Sequence, residues 1–281
     1  MADRGWAVRQ RSFGPKICFS YPSQTRPISV TGDKCQLNCA HCGGHYLKHM
    51  KSLENESGSE NSSALSFLIS GGCTVDGRVP IREHAAQLAM LKKGRRCNVH
   101  VGVAQEADMT EIAKIADTVS FDMIGDDETI RQVLGTRHTV SDYADSYKKL
   151  RDKCRVVPHI CIGLHGGEIR GEYRAMELLK KLGTDELSFI VFRPTQGTRY
   201  SACHPPDIKE TAKILASARH EFPNIPIHLG CMRPGGSYRN VLDEWAVRSG
   251  INTIVNPAPS AVQLAESLDL SIIIKKECCV L

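Results

Sequence analysis

Short runs of β-branched and other apolar residues recur along this chain, separated by stretches in which apolar positions return every three or four residues. A short apolar run bounded by turn residues marks a strand, and the three-to-four spacing marks a helix face packed against something else. The pattern predicts strands over 27–31, 65–70, 97–103, 118–124, 156–163, 187–192, 226–230 and 251–255. Helices are predicted over 81–93, 110–116, 141–153, 172–182, 207–221, 240–248 and 259–268. Strand and helix alternate throughout, as βα units on a parallel sheet do, and eight such units predict an α/β fold, a single-domain (β/α)8 barrel of the TIM type. Residues 1–26 are left as an N-terminal extension, 27–268 as the barrel and 269–281 as a C-terminal tail. The first crossover is thin: only 46–53 is helix-like, and 54–63 is a Glu, Asn, Ser and Gly run with almost no apolar anchor, read as a solvated loop.

In such a barrel the working face is the C-terminal end of the strands. Cys35, Cys39 and Cys42 fall there, directly after the first predicted strand, in a C-x3-C-x2-C arrangement. Three thiolates in eight residues can grip one metal centre, and no second cysteine or histidine pair stands at zinc-finger spacing to close a tetrahedral site. A [4Fe–4S] cluster held by three cysteines keeps one iron open for a small molecule, whereas a structural zinc fills all four positions.

Composition adds limits. The chain has 281 residues, 41% hydrophobic and 24% charged, with a formal net charge of +5. Its basic residues are scattered among acids, which argues against a nucleic-acid surface. No stretch approaches the roughly 18 apolar residues of a membrane span. The expectation is a cytoplasmic protein, in which its 12 cysteines are reduced thiols or ligands instead of a disulfide framework. Cys278-Cys279-Val280-Leu281 formally matches a C-terminal prenylation box, but its second position is not aliphatic and only Lys275 and Lys276 flank it, so no membrane anchor is expected.

The cysteine triad resembles the signature of radical S-adenosylmethionine (SAM) enzymes. Segments such as Pro27-Ile-Ser-Val-Thr-Gly32, Ile69-Ser-Gly-Gly-Cys73, Ser120-Phe-Asp122, Gly230-Cys-Met-Arg-Pro234 and Glu277-Cys-Cys279 are similar to the biotin synthase-related branch, including one subunit of the two-protein lipoyl synthases. That resemblance implies a [4Fe–4S] cluster on Cys35, Cys39 and Cys42, with SAM on its open iron and a 5′-deoxyadenosyl radical as the product of its cleavage. It implies SAM contacts from His41, Gly71, Gly72, Asp122 and Gly163. His41 stands where an aromatic residue is usual, and Cys73 where a Glu is usual. The lipoyl branch further implies sulfur insertion into a protein-bound octanoyl chain, a partner radical SAM subunit, an octanoylated lipoyl-domain substrate and an electron donor such as ferredoxin or flavodoxin.

Two further sets stand out. His100, His159 and His228 sit on predicted strands where aliphatic residues are usual, and are candidates for a substrate pocket or for core histidines bonded to backbone. Cys73, Cys231, Cys278 and Cys279 are candidates for a second, auxiliary cluster, since soft thiolates are what an iron–sulfur centre takes. Asp126, ahead of a helical stretch, is the better cap, leaving Asp122 for a ligand. A radical SAM reaction without sulfur insertion, such as a mutase or metallocofactor maturase step, and a non-enzymatic iron–sulfur or zinc protein are the alternatives.

Overall fold

A computed structural model describes residues 2–56 and 64–281; part of the loop read over 54–63 therefore lies outside the described residues. Its strands are β1 Lys16–Ser20, β2 Thr25–Ser29, β3 Lys51–Ser52, β4 Ser66–Ser70, β5 Arg96–Val101, β6 Thr118–Asp122, β7 Val156–Ile162, β8 Leu187–Val191, β9 Ile227–Leu229, β10 Thr253–Val255 and β11 Ser271–Lys275. Its helices are α1 Ala2–Phe13, α2 Leu53–Glu56, α3 Ala85–Lys92, α4 Glu106–Ile115, α5 Asp127–Thr129, α6 Val140–Arg151, α7 Glu172–Leu182, α8 Ile208–Glu221, α9 Gly236–Arg248 and α10 Pro259–Ser267.

Among the described residues all strands join one parallel sheet of eleven in the order β11-β1-β10-β9-β8-β7-β6-β5-β4-β2-β3. The eight expected strands are its centre, β2 and β4 to β10, in sequence order. The ladder does not close into an eight-stranded ring. Instead β1 and β11 lie beyond β10, and the sheet curls far enough for the Gln24 amide to donate to the Lys276 carbonyl at 2.8 Å. Lys16–Ser20 and Ser271–Lys275 belong to the sheet although they lie outside the span read as barrel. The short β3 likewise replaces the end of the expected first helix, whose remainder is a single 3-10 stretch, His45–His49.

Register fixes which side chains share a face, because alternate residues on a strand point to opposite sides. Asp122 pairs with His159, His159 with Ser188, Ser188 with His228, His228 with Thr253 and Thr253 with Cys18. On the neighbouring strands Leu68 pairs with Asn98, Asn98 with Thr118 and His100 with Ser120. This face is mostly polar. The other face carries Phe67, Ile69, Val99, Val119, Phe121, Ile160, Phe189 and Leu229, all buried in the main core beneath the helices. Those helices pack in chain order, α3 on α4, α4 on α6, then α6 to α10 each on the next, with α1 against α8 and α9. The apolar face buries against helices and the polar face turns inward, which is the condition for a site inside the sheet.

Candidate functional site

Residues Thr31 to Gly44 form the loop after β2 that carries the triad. Ala40, fully buried, donates its amide to the Val133 carbonyl at 2.7 Å and accepts the Tyr200 amide at 3.0 Å. The Cys42 and Gly43 amides both turn back to the Cys39 carbonyl, at 3.1 and 2.9 Å. Thr31 ties the loop to β4: its hydroxyl donates to the Lys34 carbonyl at 2.9 Å and accepts the Gly72 amide at 2.7 Å. A Cβ on Gly72 would lie 1.9 Å from the Lys34 carbonyl oxygen and 2.7 Å from Cys35 Cβ. Gly72 is thus a glycine because the cysteine loop lies on it, and its own amide is taken by Thr31.

The three thiols feel one another. Burial pushes Cys39 up to about 12, and Cys42 and Cys35 add to the rise. Burial also raises Cys42, although the amides of Tyr46, Gly44 and His45 point at its sulfur and work the other way. Cys39 and Cys42 so placed stay protonated without a metal, so loading the triad releases protons. Among the described residues no trio of His, Cys, Asp or Glu converges on a single-ion position. A cluster whose ligands sit on separate irons does not require that convergence.

Cys73 belongs with this group. Burial raises it to about 12, with Cys35 and Cys39 the next causes, and its carbonyl accepts the Gln36 amide at 2.9 Å. Its expected place beside Cys231, Cys278 and Cys279 is therefore corrected: the turn after β4 lies against the triad loop.

His41, in the triad loop, stands with Asp122, His100 and His159. His100 Nε2 lies 3.3 Å from Asp122 Oδ2, and the His100 and His159 rings stack at 5.6 Å. Burial alone would lower His100, but the Asp122 carboxylate overcomes it and holds its pKa above the ordinary value. Asp122 moves down, His100 outweighing the burial that opposes ionisation. Burial takes His159 down to about 4, with His100 adding to the fall, and its Nδ1 lies 3.0 Å from the Val157 carbonyl. His41 is likewise held near 4 by burial, against the pull of Asp122. His100 and Asp122 keep 33% and 47% of their side-chain surface accessible although protein surrounds them, so they face an internal space. His41 Nδ1 and Asp122 Oδ1 are buried with no partner. Asp126 is the helix cap expected, its Oδ2 accepting the Thr129 amide at 2.7 Å.

His228 is on the same face but differently employed. Its Nε2 is 3.0 Å from Glu186 Oε2, and Arg155 pairs with the same carboxylate. Gly163 donates its amide to Glu172 Oε1 at 2.7 Å, and a Cβ there would meet Pro206 at 2.8 Å. That glycine serves packing and a left-handed φ of 73°.

The remaining cysteines do come together. Cys278 lies within electrostatic reach of Cys231, Cys279 and His100, and Asn98 Nδ2 reaches its sulfur at 3.5 Å. The Cys279 thiol donates to it and holds it down at about 6 despite burial, while Cys279 itself is pushed up. The tail that carries the pair is seated on the inner face. Thr25 Oγ1 accepts the Cys278 amide at 2.8 Å, Thr118 donates to the Val280 carbonyl at 3.0 Å, and Ser20 to the Glu277 carbonyl at 2.7 Å. Cys279 and Val280 pack on Val157 and Val255.

Several solved structures share this architecture. The [FeFe]-hydrogenase maturase HydG from Carboxydothermus hydrogenoformans superposes with a TM-score of 0.68 at 16% identity, over 96% of this chain and 70% of that one. Methylornithine synthase (PylB) gives 0.67 at 13% identity, over 97% and 89%. Streptococcus suis SuiB, solved with S-adenosylmethionine bound, gives 0.52 at 14%, over 87% and 58%. A Bacillus subtilis HMG-CoA lyase also matches, at 0.57 and 12%. Identities this low establish a common fold and nothing finer. No family model and no curated protein sequence matches the chain.

Proposed function

We propose that this chain is a radical SAM enzyme. The observation that carries the reading is the triad loop lying on Gly72, with the buried atoms His41 Nδ1, in that loop, and Asp122 Oδ1 having no protein partner. The fold supports it, shared as it is with a structure that holds S-adenosylmethionine. Because a lyase shares the fold too, the thiols and orphaned polar atoms decide, not the architecture.

The residues present fit the group. Cys35, Cys39 and Cys42 supply three soft ligands for a [4Fe–4S] cluster, leaving one position for SAM. Asp122, ionised and with a free oxygen, is suited to accept hydroxyls of a ribose, and His41, kept neutral by burial, can share one hydrogen bond with a purine. When bound, cluster and SAM together supply a carbon radical able to abstract hydrogen from an unactivated carbon. The protein's part is to position and to enclose. His100 holds Asp122 in place, the helix-covered sheet excludes water at the sides, and the tail closes the interior near the N-terminal ends of β2 and β6. His159, held neutral and with Nδ1 on the Val157 carbonyl, can accept a hydrogen bond at Nε2 without adding charge beside the Asp122–His100 pair.

Sulfur insertion is a second reading, supported by the convergence of Cys231, Cys278 and Cys279 next to His100, a set able to hold an auxiliary iron–sulfur centre. An octanoyl chain, a lipoyl-domain partner and a second subunit have no observation behind them, and the polar inner face fits a polar substrate better. A reductant such as ferredoxin or flavodoxin belongs to either reading.

The test is formation of 5′-deoxyadenosine from SAM with dithionite after anaerobic reconstitution. Wild type should form it, and Cys39→Ser should reduce it to the level without protein. Equal yields from both would remove the triad from the chemistry.

A further inference from the structure

The tail after β11 turns inward, and Cys278 and Cys279, though consecutive, meet different surroundings. Cys279 is 8% exposed and packs with Val157, Val255 and Val280. Cys278 is only half-buried although protein surrounds it, so its sulfur faces the interior. Three contacts hold it there. Thr25 Oγ1 accepts its amide at 2.8 Å, Asn98 Nδ2 reaches its sulfur at 3.5 Å, and the Cys279 thiol donates to that same sulfur. Asn98 is itself buried, and Ser120 Oγ donates to its Oδ1 at 2.9 Å, which turns the amide nitrogen toward the thiol.

Register places this sulfur relative to the groups read as holding SAM. Asn98 and His100, alternate residues of β5, share the inner face, and they pair with Thr118 and Ser120 of β6. Asp122 lies four residues beyond Thr118 on that strand, about 13 Å along it at roughly 3.3 Å per residue. The levels from the tail onward are therefore Asn98 with Cys278, then His100, then Asp122. The triad loop is at the Asp122 end, since its His41 is within electrostatic reach of that carboxylate. A molecule lying against the stacked His100 and His159 rings has the SAM side at one end and the Cys278 sulfur at the other.

An S–H bond is weaker than an aliphatic C–H bond, so hydrogen passes downhill from a thiol to a carbon radical. We propose that the Cys278–Cys279 pair is the hydrogen donor that quenches the substrate radical, from the side opposite the one on which its hydrogen was removed. The hydrogen shared by the two sulfurs passes through Cys278 to the carbon: an S–H bond breaks and a C–H bond forms. The odd electron left behind is held between the two sulfurs as a disulfide radical anion. One electron from the low-potential donor that reduces the cluster, with one proton from water, restores the pair. The substrate regains on one face the hydrogen it lost from the other, which is inversion at carbon without net oxidation. This use excludes the auxiliary centre, because Cys279 is sunk among valines and the pair presents one sulfur, not two, to the interior. The donor role rests on the radical SAM reading; the position of the pair does not.

The test uses SAM itself as the probe. Reconstituted protein in deuterium oxide cleaves SAM with dithionite and no added substrate, and mass spectrometry reads the fraction of 5′-deoxyadenosine that carries one deuterium. Thiol hydrogen exchanges with solvent, carbon-bound hydrogen does not, and O–H and N–H bonds are too strong to be the source. Wild type should give deuterated product, and Cys278→Ala should lose most of the deuterium. Cys278→Ser, which keeps the size and the backbone contacts, should lose it equally. Cys161→Ala, which removes the inner-face thiol two residues beyond His159, should keep it. Deuterium retained in both Cys278 variants, or lost in Cys161→Ala instead, would overturn the proposal. So would iron that stays with the Cys35→Ala/Cys39→Ala/Cys42→Ala protein and is lost when Cys278→Ser is added, which would make Cys278 a cluster ligand. A wild type that forms no 5′-deoxyadenosine would defeat the radical reading and the donor with it, whereas product whose deuterium ignores Cys278 defeats the donor alone.

Discussion

At the scale of single residues, the site is defined by which polar atoms lack partners and which glycines lack room. Gly72 is the sharpest case, because a methyl there meets backbone and not the tip of a flexible side chain. Gly72→Ala should lower stability by about 1–3 kcal/mol in thermal melts and reduce bound iron after reconstitution, since the triad loop must shift. Glu186 provides a pH test. Burial opposes its ionisation, but hydrogen bonds from His228 and Arg155 win and hold it down at about 2. A depressed carboxyl contributes stability that is fully present above its unfolded value near 4.3 and is lost as pH falls toward 2. Glu186→Gln should therefore cost about 1–3 kcal/mol at pH 7, with a difference from wild type that shrinks between about pH 5 and 2; a constant difference would contradict the assignment. The cysteines and Asp122 were legible in the sequence because their chemistry is in the residue type and the spacing.

At the scale of elements, the tail after β11 is the piece whose role only the fold reveals. Read in sequence it is a C-terminal tail with two cysteines. In the structure its backbone occupies Ser20, Thr25 and Thr118, and its Val280 joins Val157 and Val255. Removing residues 277–281 should destabilise the protein by about 3–6 kcal/mol, from lost apolar burial and hydrogen bonds. Circular dichroism melts would check it, and an unchanged melt would mean the tail is not seated. Lys16–Ser20 and Ser271–Lys275 escaped prediction for a related reason. Short parallel strands at a sheet margin carry little periodicity, and the exposed Ile273 and Ile274 do not alternate as a half-buried strand would. The central strands, buried on their outer face by helices, were legible to within two residues at each end.

At the scale of the molecule, a curled parallel sheet turns its polar residues inward and its aliphatic residues toward a ring of helices. That inversion of the usual core leaves a hydrogen-bonding inner face between the triad loop at one end and the tail at the other. The alternation of strand and helix announced the sheet. The triad raised the expectation of a metal centre, and neither pointed to a substrate. The claim on which the rest depends is that Cys35, Cys39 and Cys42 hold a cluster with an open iron. Electron paramagnetic resonance of the dithionite-reduced, reconstituted protein, before and after SAM, tests it most directly. A reduced [4Fe–4S] signal that changes on SAM addition, and is lost from that centre in the Cys35→Ala/Cys39→Ala/Cys42→Ala protein, is the expected result. A signal indifferent to SAM, or one that survives the triple substitution unchanged, would contradict it.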